Sequence, residues 1–184
     1  MSEHIASHIE RMTKSVSALK DELNTIRTGR ASASLFDKIR VDYYGDKSPL
    51  SQVATISIPE ARLVVIQPWD KALIGEIEKA IQKSELSLNP SNDGKVIRIA
   101  IPPLTEERRK ELVKQAKNIA EQSRVAIRNI RRDGNEDLKK LQKEGLLTED
   151  ELKTSEDELQ KTTDKFIQEI NKILEEKDKE IMEG

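Results

Sequence analysis

The sequence predicts an α+β protein, in which an elongated three-helix bundle carries an inserted small β/α/β domain. Stretches near both ends of the 184-residue chain repeat apolar residues every three or four positions, the spacing of helices that bury one stripe. The middle of the chain instead alternates apolar and polar residues between turn signals. Charged residues make up 36% of the chain and aromatic residues only 3%, as in long helices that share narrow apolar seams.

The first helix is predicted from an unbroken heptad pattern. Its apolar residues are separated by alternating steps of four and three, which favours nearly parallel or antiparallel helix packing. A glycine, Gly29, follows as a plausible stop. The seam consists of Ile5, Ile9, Met12, Val16, Leu19, Leu23 and Ile26.

The segment 31–104 is predicted to form the inserted domain, with some four strands and one helix. The strands are expected in "IRVDYY" from Ile39, "VATISI", "LVVIQ" and "VIRIAI", and the helix in "KALIGEIEKAIQKS". Turn signals include Gly45, Ser48-Pro49 and Asn89-Pro90. We expect Trp69 to pack locally at a strand-to-helix turn, with an exposed contact surface as the less favoured alternative.

Two further helices are predicted after Pro103. Thr105 is a candidate N-cap for the second, which is expected to continue past Gly134, a weak position, and to stop at Gly145. Thr148 and Glu151 form a capping box for the third. The second helix has the seam Leu112, Ala116, Ile119, Ser123, Ala126 and Ile130. The third has Leu152, Leu159, Phe166 and Ile173, with Ile170 and Ile181 widening its stripe. We therefore expect a bundle of residues 1–30 and 105–184, joined to the inserted domain by two short connections that act as a hinge, in an elongated, bent molecule.

Charge is distributed unevenly along this chain of net charge −2. Residues 105–132 contain nine Lys and Arg against four Glu, whereas residues 144–184 contain six Lys against fourteen Asp and Glu. At about 100° per residue, the basic residues of the second helix lie within roughly 100° of arc, opposite the predicted seam. Arg109 lies to one side and Glu121 alone interrupts the stripe. The predicted RNA-binding residues are Arg109, Lys110, Lys114, Lys117, Arg124, Arg128, Arg131 and Arg132.

This stripe has two ordinary explanations and one functional explanation. A solvated helix face normally mixes charges of both signs, and the acidic third helix could neutralise the stripe's edges. The dominance of one sign, with arginine in the C-terminal half, favours phosphate contact. Because Phe166 is the only aromatic residue in the helical segments, base stacking is not expected, and structured RNA bound through its shape and phosphates fits best.

Other kinds of site receive little support. His4 and His8 are spaced for a shared metal, but no third ligand accompanies them near this terminus, and no metal site is predicted. We predict no catalytic residues, no cofactor and no enzyme activity, because neither a phosphate-binding glycine loop nor a nucleophile constellation is present. The chain has no cysteine, membrane span or secretory signal, so we expect a cytoplasmic monomer. A coiled-coil adaptor or chaperone, and a free-standing RNA or DNA binder, remain alternatives.

Several stretches of the chain resemble the bacterial ribosome recycling factor family. They are "IRTGRAS" at 26–32, "VDYYG" at 41–45, "LNPSNDGKVIRI" at 88–99, "PPLTEERRKEL" at 102–112 and "RVAIRNIRRD" at 124–133. The resemblance covers essentially the whole chain and implies an L-shaped molecule. It further implies a translation factor that binds the post-termination ribosome and splits it into subunits together with elongation factor G.

The resemblance also implies roles for particular regions. The bundle would lie against ribosomal RNA of the large subunit through Arg109, Arg128 and Arg131, which match the family's arginine motifs. The inserted domain, together with the hinge, would face elongation factor G. The predicted hinge residues are Arg27, Gly29, Arg30, Ala31, Ser32, Pro102, Pro103 and Leu104.

Overall fold

The computed structural model describes residues 3–183, which group into two compact units. One unit comprises the chain up to Arg27 together with Glu106–Glu183, and the other comprises Thr28–Thr105. The first contains three long helices and the second contains all six strands and one helix, which confirms the predicted α+β class with an inserted β/α/β module. The helices are α1 Ala6–Asn24, α2 Ile74–Lys83, α3 Glu106–Lys143 and α4 Glu149–Glu183.

Helix α1 buries the heptad seam that the sequence predicts, with one exchange. Met12, Val16, Leu19 and Leu23 are all buried, whereas Ile9 is only half-buried. Its neighbour His8 is buried instead, and the ring lies close to Gly134 of α3. His8 is therefore packed within the bundle and does not lie at a fraying terminus, because the ring fills space that the missing Gly134 side chain leaves open.

Helix α3 buries a stripe that is rotated from the predicted seam. Ala120 and Ile127 are fully buried, while the predicted seam residues Ile119 and Ala126 are only half-buried. At about 100° per residue this displaces the centre of the buried face by roughly 50°. The helix does not break at Gly134, which is buried against α4: a Cβ at this position would lie 2.7 Å from Cδ2 of Leu159. The full buried set is Leu112, Ala116, Ala120, Ser123, Ile127, Ile130, Gly134 and Leu138.

The turn between α3 and α4 follows the local signals in the sequence. Gly145 adopts φ +78°, a left-handed conformation that favours glycine after a helix. The Leu146 N–H then donates to the Leu141 carbonyl at 2.9 Å. At the start of α4, the Glu151 N–H donates to Oγ1 of Thr148 at 3.1 Å, as expected for an N-cap threonine.

Helix α4 buries Leu159 as predicted, but the other three residues of its predicted heptad, Leu152, Phe166 and Ile173, are only half-buried. Ile170 and Ile181, which were predicted to widen the stripe, are fully buried, and polar side chains occupy other buried positions of the helix. Thr163 is fully buried and donates its hydroxyl to the Leu159 carbonyl at 2.7 Å. The hydroxyl group is therefore satisfied within the helix, which lets a polar residue occupy the interface.

The second unit contains two antiparallel sheets and a helix over one core. One sheet is the hairpin β1–β2, and the other has the strand order β3-β4-β6-β5. Helix α2 buries Ile74, Ile77 and Ile81, which share a core with apolar residues of both sheets. The strands are β1 Arg40–Tyr43, β2 Asp46–Pro49, β3 Ala54–Glu60, β4 Leu63–Pro68, β5 Pro90–Asn92 and β6 Ile97–Ala100.

Two strands and one aromatic residue differ from prediction in this unit. Strands β2 and β5 fall in segments that were interpreted as turns, because both are short and polar and each contains a proline. Trp69 is 67% exposed, although its Nε1 donates to Oγ1 of Thr55 at 3.0 Å. The predicted local packing of Trp69 was therefore largely wrong. Tyr44 is also exposed, at the tip of the β1–β2 hairpin with φ +51°.

Candidate nucleic-acid interface

All eight basic residues predicted to bind RNA lie on α3, along about 35 Å of helix axis. Five of them form what we call the basic face, in which the side chains are exposed or, for Arg128, half-exposed. The other three lie on the side of α3 next to α4, and we call them the α4-side arginines. The basic face is Lys110, Lys114, Lys117, Arg128 and Arg132, and the α4-side arginines are Arg109, Arg124 and Arg131.

This division follows from the rotation of the buried stripe. The sequence placed the buried seam opposite the whole basic stripe, and that placement was wrong by about 50°. Around the helix axis, the centre of the actual buried face lies roughly 20–80° from the three α4-side arginines. It lies more than 90° from every residue of the basic face. The basic face therefore points away from the bundle core, whereas the α4-side arginines lie at the edge of the α3–α4 contact.

Each α4-side arginine has a recorded partner on α4. Nε of Arg124 donates to Oδ1 of Asn171 at 2.9 Å, and its side chain is only 17% exposed. Arg131 donates to Oε1 of Gln160 at 3.4 Å, and Arg109 donates to the carbonyl of Met182. These contacts hold the guanidinium groups against the neighbouring helix, so the three arginines have a structural part in the bundle.

One carboxylate lies within the basic face. Glu121 accepts hydrogen bonds from Arg124 at 2.8 Å and from Arg128 at 3.5 Å, using a different oxygen for each. The hydrogen bond from Arg124 is the largest influence that lowers the pKa of Glu121, and the charges of Arg124 and Arg128 act in the same direction. Glu121 is therefore ionised at neutral pH and offsets part of the local positive charge.

The basic face extends further than was predicted from the sequence. Because α3 continues through Gly134, the rotation of about 100° per residue places Lys139 and Lys143 on the same side of the helix as the basic face. Both lysines are exposed. Val125 is 45% exposed within this face. The positions of the two lysines were available from the helical period, and they were missed because the predicted stripe was ended at Arg132.

The arrangement suits a polyanion better than a small ligand. A row of cations on a rigid helix generates a continuous positive potential, and guanidinium and ammonium groups are the usual partners of phosphate. A surface depression of about 200 Å³ lies at Lys20, Asn24 and Lys177, away from the basic face. The basic face itself is open, as contact with an extended partner requires.

The residues predicted as the hinge lie where the chain passes between the two units. The Ala31 N–H donates to the Ala61 carbonyl at 2.7 Å, and the Ile101 N–H donates to the Arg62 carbonyl at 2.8 Å. Ser32 caps the short turn Ala33–Phe36. These bonds tie Ala31 and Ile101 into the second unit, and Arg27 ends the first. The other predicted hinge residues flank these bonds, and their role as a hinge stays a prediction. They are Gly29, Arg30, Pro102, Pro103 and Leu104.

The histidines do not form the metal pair considered from the sequence. Nε2 of His8 lies 2.9 Å from Oδ2 of Asp137, so the buried ring bridges α1 and α3. Within residues 3–183, no group of three or more histidine or carboxylate side chains is arranged to hold a metal ion. None of the helices in this part of the chain has the length and apolar character needed to cross a bilayer.

Comparison with known proteins identifies the family. The family model for ribosome recycling factor matches residues 19–182. The ribosome-recycling factor of Treponema denticola is 68% identical over 174 residues, which are 95% of this chain and 94% of that protein. A solution structure of a ribosome recycling factor is 45% identical, covers 100% of both chains and superposes with a TM-score of 0.72.

A second solved structure gives the biological setting of a relative. It is described as models of the T. thermophilus ribosome recycling factor and the E. coli elongation factor G bound to the E. coli post-termination complex. The matched chain is 49% identical to this one, with 97% of each chain covered and a TM-score of 0.61. These matches confirm the resemblance that the sequence motifs carried, and the chain belongs to the ribosome recycling factor family of translation factors.

Proposed function

We propose that this chain recycles ribosomes after termination, by binding the post-termination ribosome and splitting it into subunits together with elongation factor G. The observation that carries this proposal is the 68% identity with a ribosome-recycling factor across 95% of the chain. A relative of 49% identity is described in a complex with the post-termination ribosome and elongation factor G. A translation factor of this kind acts in the cytoplasm, and we expect it to act as a monomer.

We assign docking on ribosomal RNA of the large subunit to the basic face. Its five cations follow one side of α3, so they can contact successive phosphates of a structured RNA. Arg128 and Arg132 have the planar donor fork that binds phosphate through two hydrogen bonds. The α4-side arginines contribute less to RNA binding in this proposal, because their guanidinium groups already contact α4.

We assign contact with elongation factor G to the inserted domain and the hinge. Trp69 and Tyr44 are exposed in this domain, by 67% and 85%, and large exposed aromatic side chains are typical of protein interfaces. Movement of the domain on the two short connections would transmit force from the GTPase to the bundle. The chain itself then needs no active site, since GTP hydrolysis by elongation factor G supplies the free energy.

An alternative function as an adaptor or chaperone has less support. Such a protein needs a contiguous apolar groove on its helices. Among the described residues of the bundle, the large apolar side chains that are markedly exposed are Val125, Leu146 and Met182. They lie at three separate places along the helices and do not form such a groove.

The docking proposal is tested by the salt dependence of binding to purified large ribosomal subunits. We expect Arg128→Ala combined with Arg132→Ala to weaken binding about tenfold or more at ~0.1 M salt, because each lost phosphate contact reduces the salt slope by about one. Sedimentation over a salt series measures both quantities. Arg128→Ala with Arg131→Ala should have a smaller effect, because Arg131 contacts Gln160.

The matched control removes two charges from the same helix outside the basic face. Arg108 and Lys140 lie on α3 more than 90° from the centre of that face, and both are exposed. Their double alanine variant should bind nearly as tightly as the wild type. Equal binding and equal salt slopes for the two double variants would contradict the docking assignment. Subunit splitting without elongation factor G would contradict the partner assignment.

A further inference from the structure

Glu121 is a carboxylate in the middle of a surface that otherwise suits phosphate. It lies one turn before Arg124 and two turns before Arg128, and it contacts both. Its own side chain is 53% exposed. A negative charge at this position repels an approaching phosphate, so any role of Glu121 has to be compatible with weaker docking.

The two contacts of Glu121 differ in a way that suggests this role. Arg124 is held at both ends of its guanidinium group, by Asn171 at 2.9 Å and by Glu121 at 2.8 Å. Arg128 reaches Glu121 only at 3.5 Å, and its side chain is 42% exposed. Arg124 therefore anchors the carboxylate to the bundle, and Arg128 is the partner that can leave.

Stabilisation of α3 is a weak explanation for the pair with Arg128. Exposed ion pairs contribute between nothing and about 1 kcal/mol, and a contact of 3.5 Å lies at the limit of hydrogen bonding. A helix of 38 residues that packs against two others does not depend on such a contact. The consequence for phosphate binding is larger, because Glu121 competes directly for the Arg128 guanidinium.

We infer that Glu121 is an internal competitor that holds Arg128 in the free protein and exchanges it for a phosphate when the basic face docks on RNA. This inference rests on the proposed function. In the free protein the carboxylate keeps Arg128 aligned along the face, and in the complex it remains with Arg124. When the phosphate leaves, Glu121 recaptures Arg128. The result is docking that is weaker and more readily reversed than five free cations would give, as a factor that must release after each cycle requires.

The test is Glu121→Gln, which keeps the shape of the side chain and removes its charge. We expect the variant to bind purified large ribosomal subunits about three- to tenfold more tightly at ~0.1 M salt, with a salt slope steeper by up to about one. Dissociation, followed by chase with unlabelled factor, should be slower by a similar ratio. Glu136→Gln is the control: it removes the same charge from an exposed position on α3, and no contact with an arginine is recorded for it within residues 3–183.

A double-mutant cycle with Arg128→Ala separates the exchange from a general charge effect. If Glu121 acts through Arg128, the gain from Glu121→Gln should fall to that of Glu136→Gln once Arg128 is alanine. An equal gain in both backgrounds, or affinity within twofold of wild type for Glu121→Gln alone, would overturn the inference. If Arg128→Ala itself leaves binding unchanged, the docking proposal fails first, so the two failures are distinguishable.

Discussion

The two units of this molecule build their interiors from different kinds of residue. In the inserted domain, fourteen buried residues form one cluster and every one of them is apolar. In the bundle, the helix interfaces also bury polar or charged side chains, namely His8, Ser123, Ser155, Thr163 and Lys177. All of the buried polar and charged residues found within 3–183 belong to the bundle.

This difference reflects how the two kinds of element pack. A sheet covered by one helix encloses a thick space that branched apolar side chains fill, and its stability depends on the area they bury. Long helices in contact instead approach closely where side chains are small, as at Ala120 and Gly134. The stability of the bundle interior therefore depends on steric fit and on local hydrogen bonds as much as on buried apolar area.

The largest expected effect comes from removing volume in the inserted domain. Ile77→Ala should lower the free energy of unfolding by about 2–5 kcal/mol, because Ile77 is fully buried in the core cluster. Ile58→Ala is the matched control, since Ile58 is 38% exposed, and it should cost less than about 1 kcal/mol. Hydrogen exchange should show faster opening of β4 and β6 in Ile77→Ala. A loss of protection confined to α3 and α4 would contradict the conclusion that the two units have separate cores.

In the bundle, adding side-chain volume where the helices approach closely should be more damaging than removing it. Gly134→Val should cost about 1–3 kcal/mol, because even a Cβ at this position would lie 2.7 Å from Leu159 and 3.3 Å from the His8 ring. Gly134→Ala should be nearly neutral, since the gain in helix propensity of about 1 kcal/mol offsets a contact with a movable side chain. Urea denaturation measures both variants.

A glycine of the inserted domain supplies the control for this prediction. A Cβ at Gly75, in the first turn of α2, would meet nothing within 4 Å. Gly75→Val should therefore change stability by less than about 0.5 kcal/mol. If Gly134→Val proved equally mild, the close approach of the helices at Gly134 would not be what determines packing in the bundle.

The same contrast explains which parts of the fold could be predicted from the sequence. Strands β3, β4 and β6 and the seam of α1 were predictable, because branched apolar residues mark their buried faces. The buried face of α3 was misplaced because small residues such as Ala120 and Gly134 line it, and their low hydrophobicity does not show that they are buried. Strands β2 and β5 are short, polar segments without an apolar pattern of their own. Their pairing with β1 and β6 is what makes them strands.

The candidate site was predictable to a similar extent. The helical period was enough to bring the basic residues of α3 onto one side. It could not distinguish Arg128 from Arg124, because that depends on which flank of α3 the helix α4 covers. The contact of Arg124 with Asn171 joins residues 47 positions apart, and no local pattern encodes it. The assignment of these residues to RNA binding stays a prediction.

A moderate effect is expected from the buried histidine of the bundle. Asp137→Ala removes the one hydrogen-bond partner of the buried His8 ring that lies within residues 3–183, and an orphaned buried polar group costs about 1–3 kcal/mol. Thermal denaturation at constant pH measures the loss. Asp133→Ala is the control, because its partner Arg11 is 51% exposed and such a pair contributes less than about 1 kcal/mol. Equal losses of stability in Asp137→Ala and Asp133→Ala would mean that the buried contact with His8 stabilises the bundle no more than an exposed ion pair does.

The smallest effects concern two aspartates that should respond to acid in opposite directions. In the inserted domain, the backbone N–H of Val96, the side chain of Arg98 and the N–H of Lys95 hold the pKa of Asp93 well below its ordinary 3.8. Ionised Asp93 therefore stabilises the folded form above pH ~4, and this contribution is lost as pH falls below 3.8 towards the folded pKa. In the bundle, burial raises the pKa of Asp178 above the same ordinary value of 3.8. Its ionisation therefore opposes folding at neutral pH, and this opposition disappears as pH falls through the raised pKa and below 3.8.

Replacing each aspartate with asparagine separates these two contributions. Asp93→Asn should destabilise the protein at pH 7, and Asp178→Asn should stabilise it slightly, because Oδ1 of Asp178 is buried with no hydrogen-bond partner recorded within residues 3–183. The effect of Asp178→Asn should shrink towards zero as pH falls from 6 to 3, because the wild-type aspartate then becomes protonated in both the folded and the unfolded state. The effect of Asp93→Asn should begin to shrink only below pH 3.8, because folded Asp93 stays ionised there. Urea denaturation at several pH values measures this convergence. A stabilising effect of Asp178→Asn that persists unchanged at pH 3 would mean that the shape of the side chain, and not its buried charge, lowers the stability of the bundle at this position.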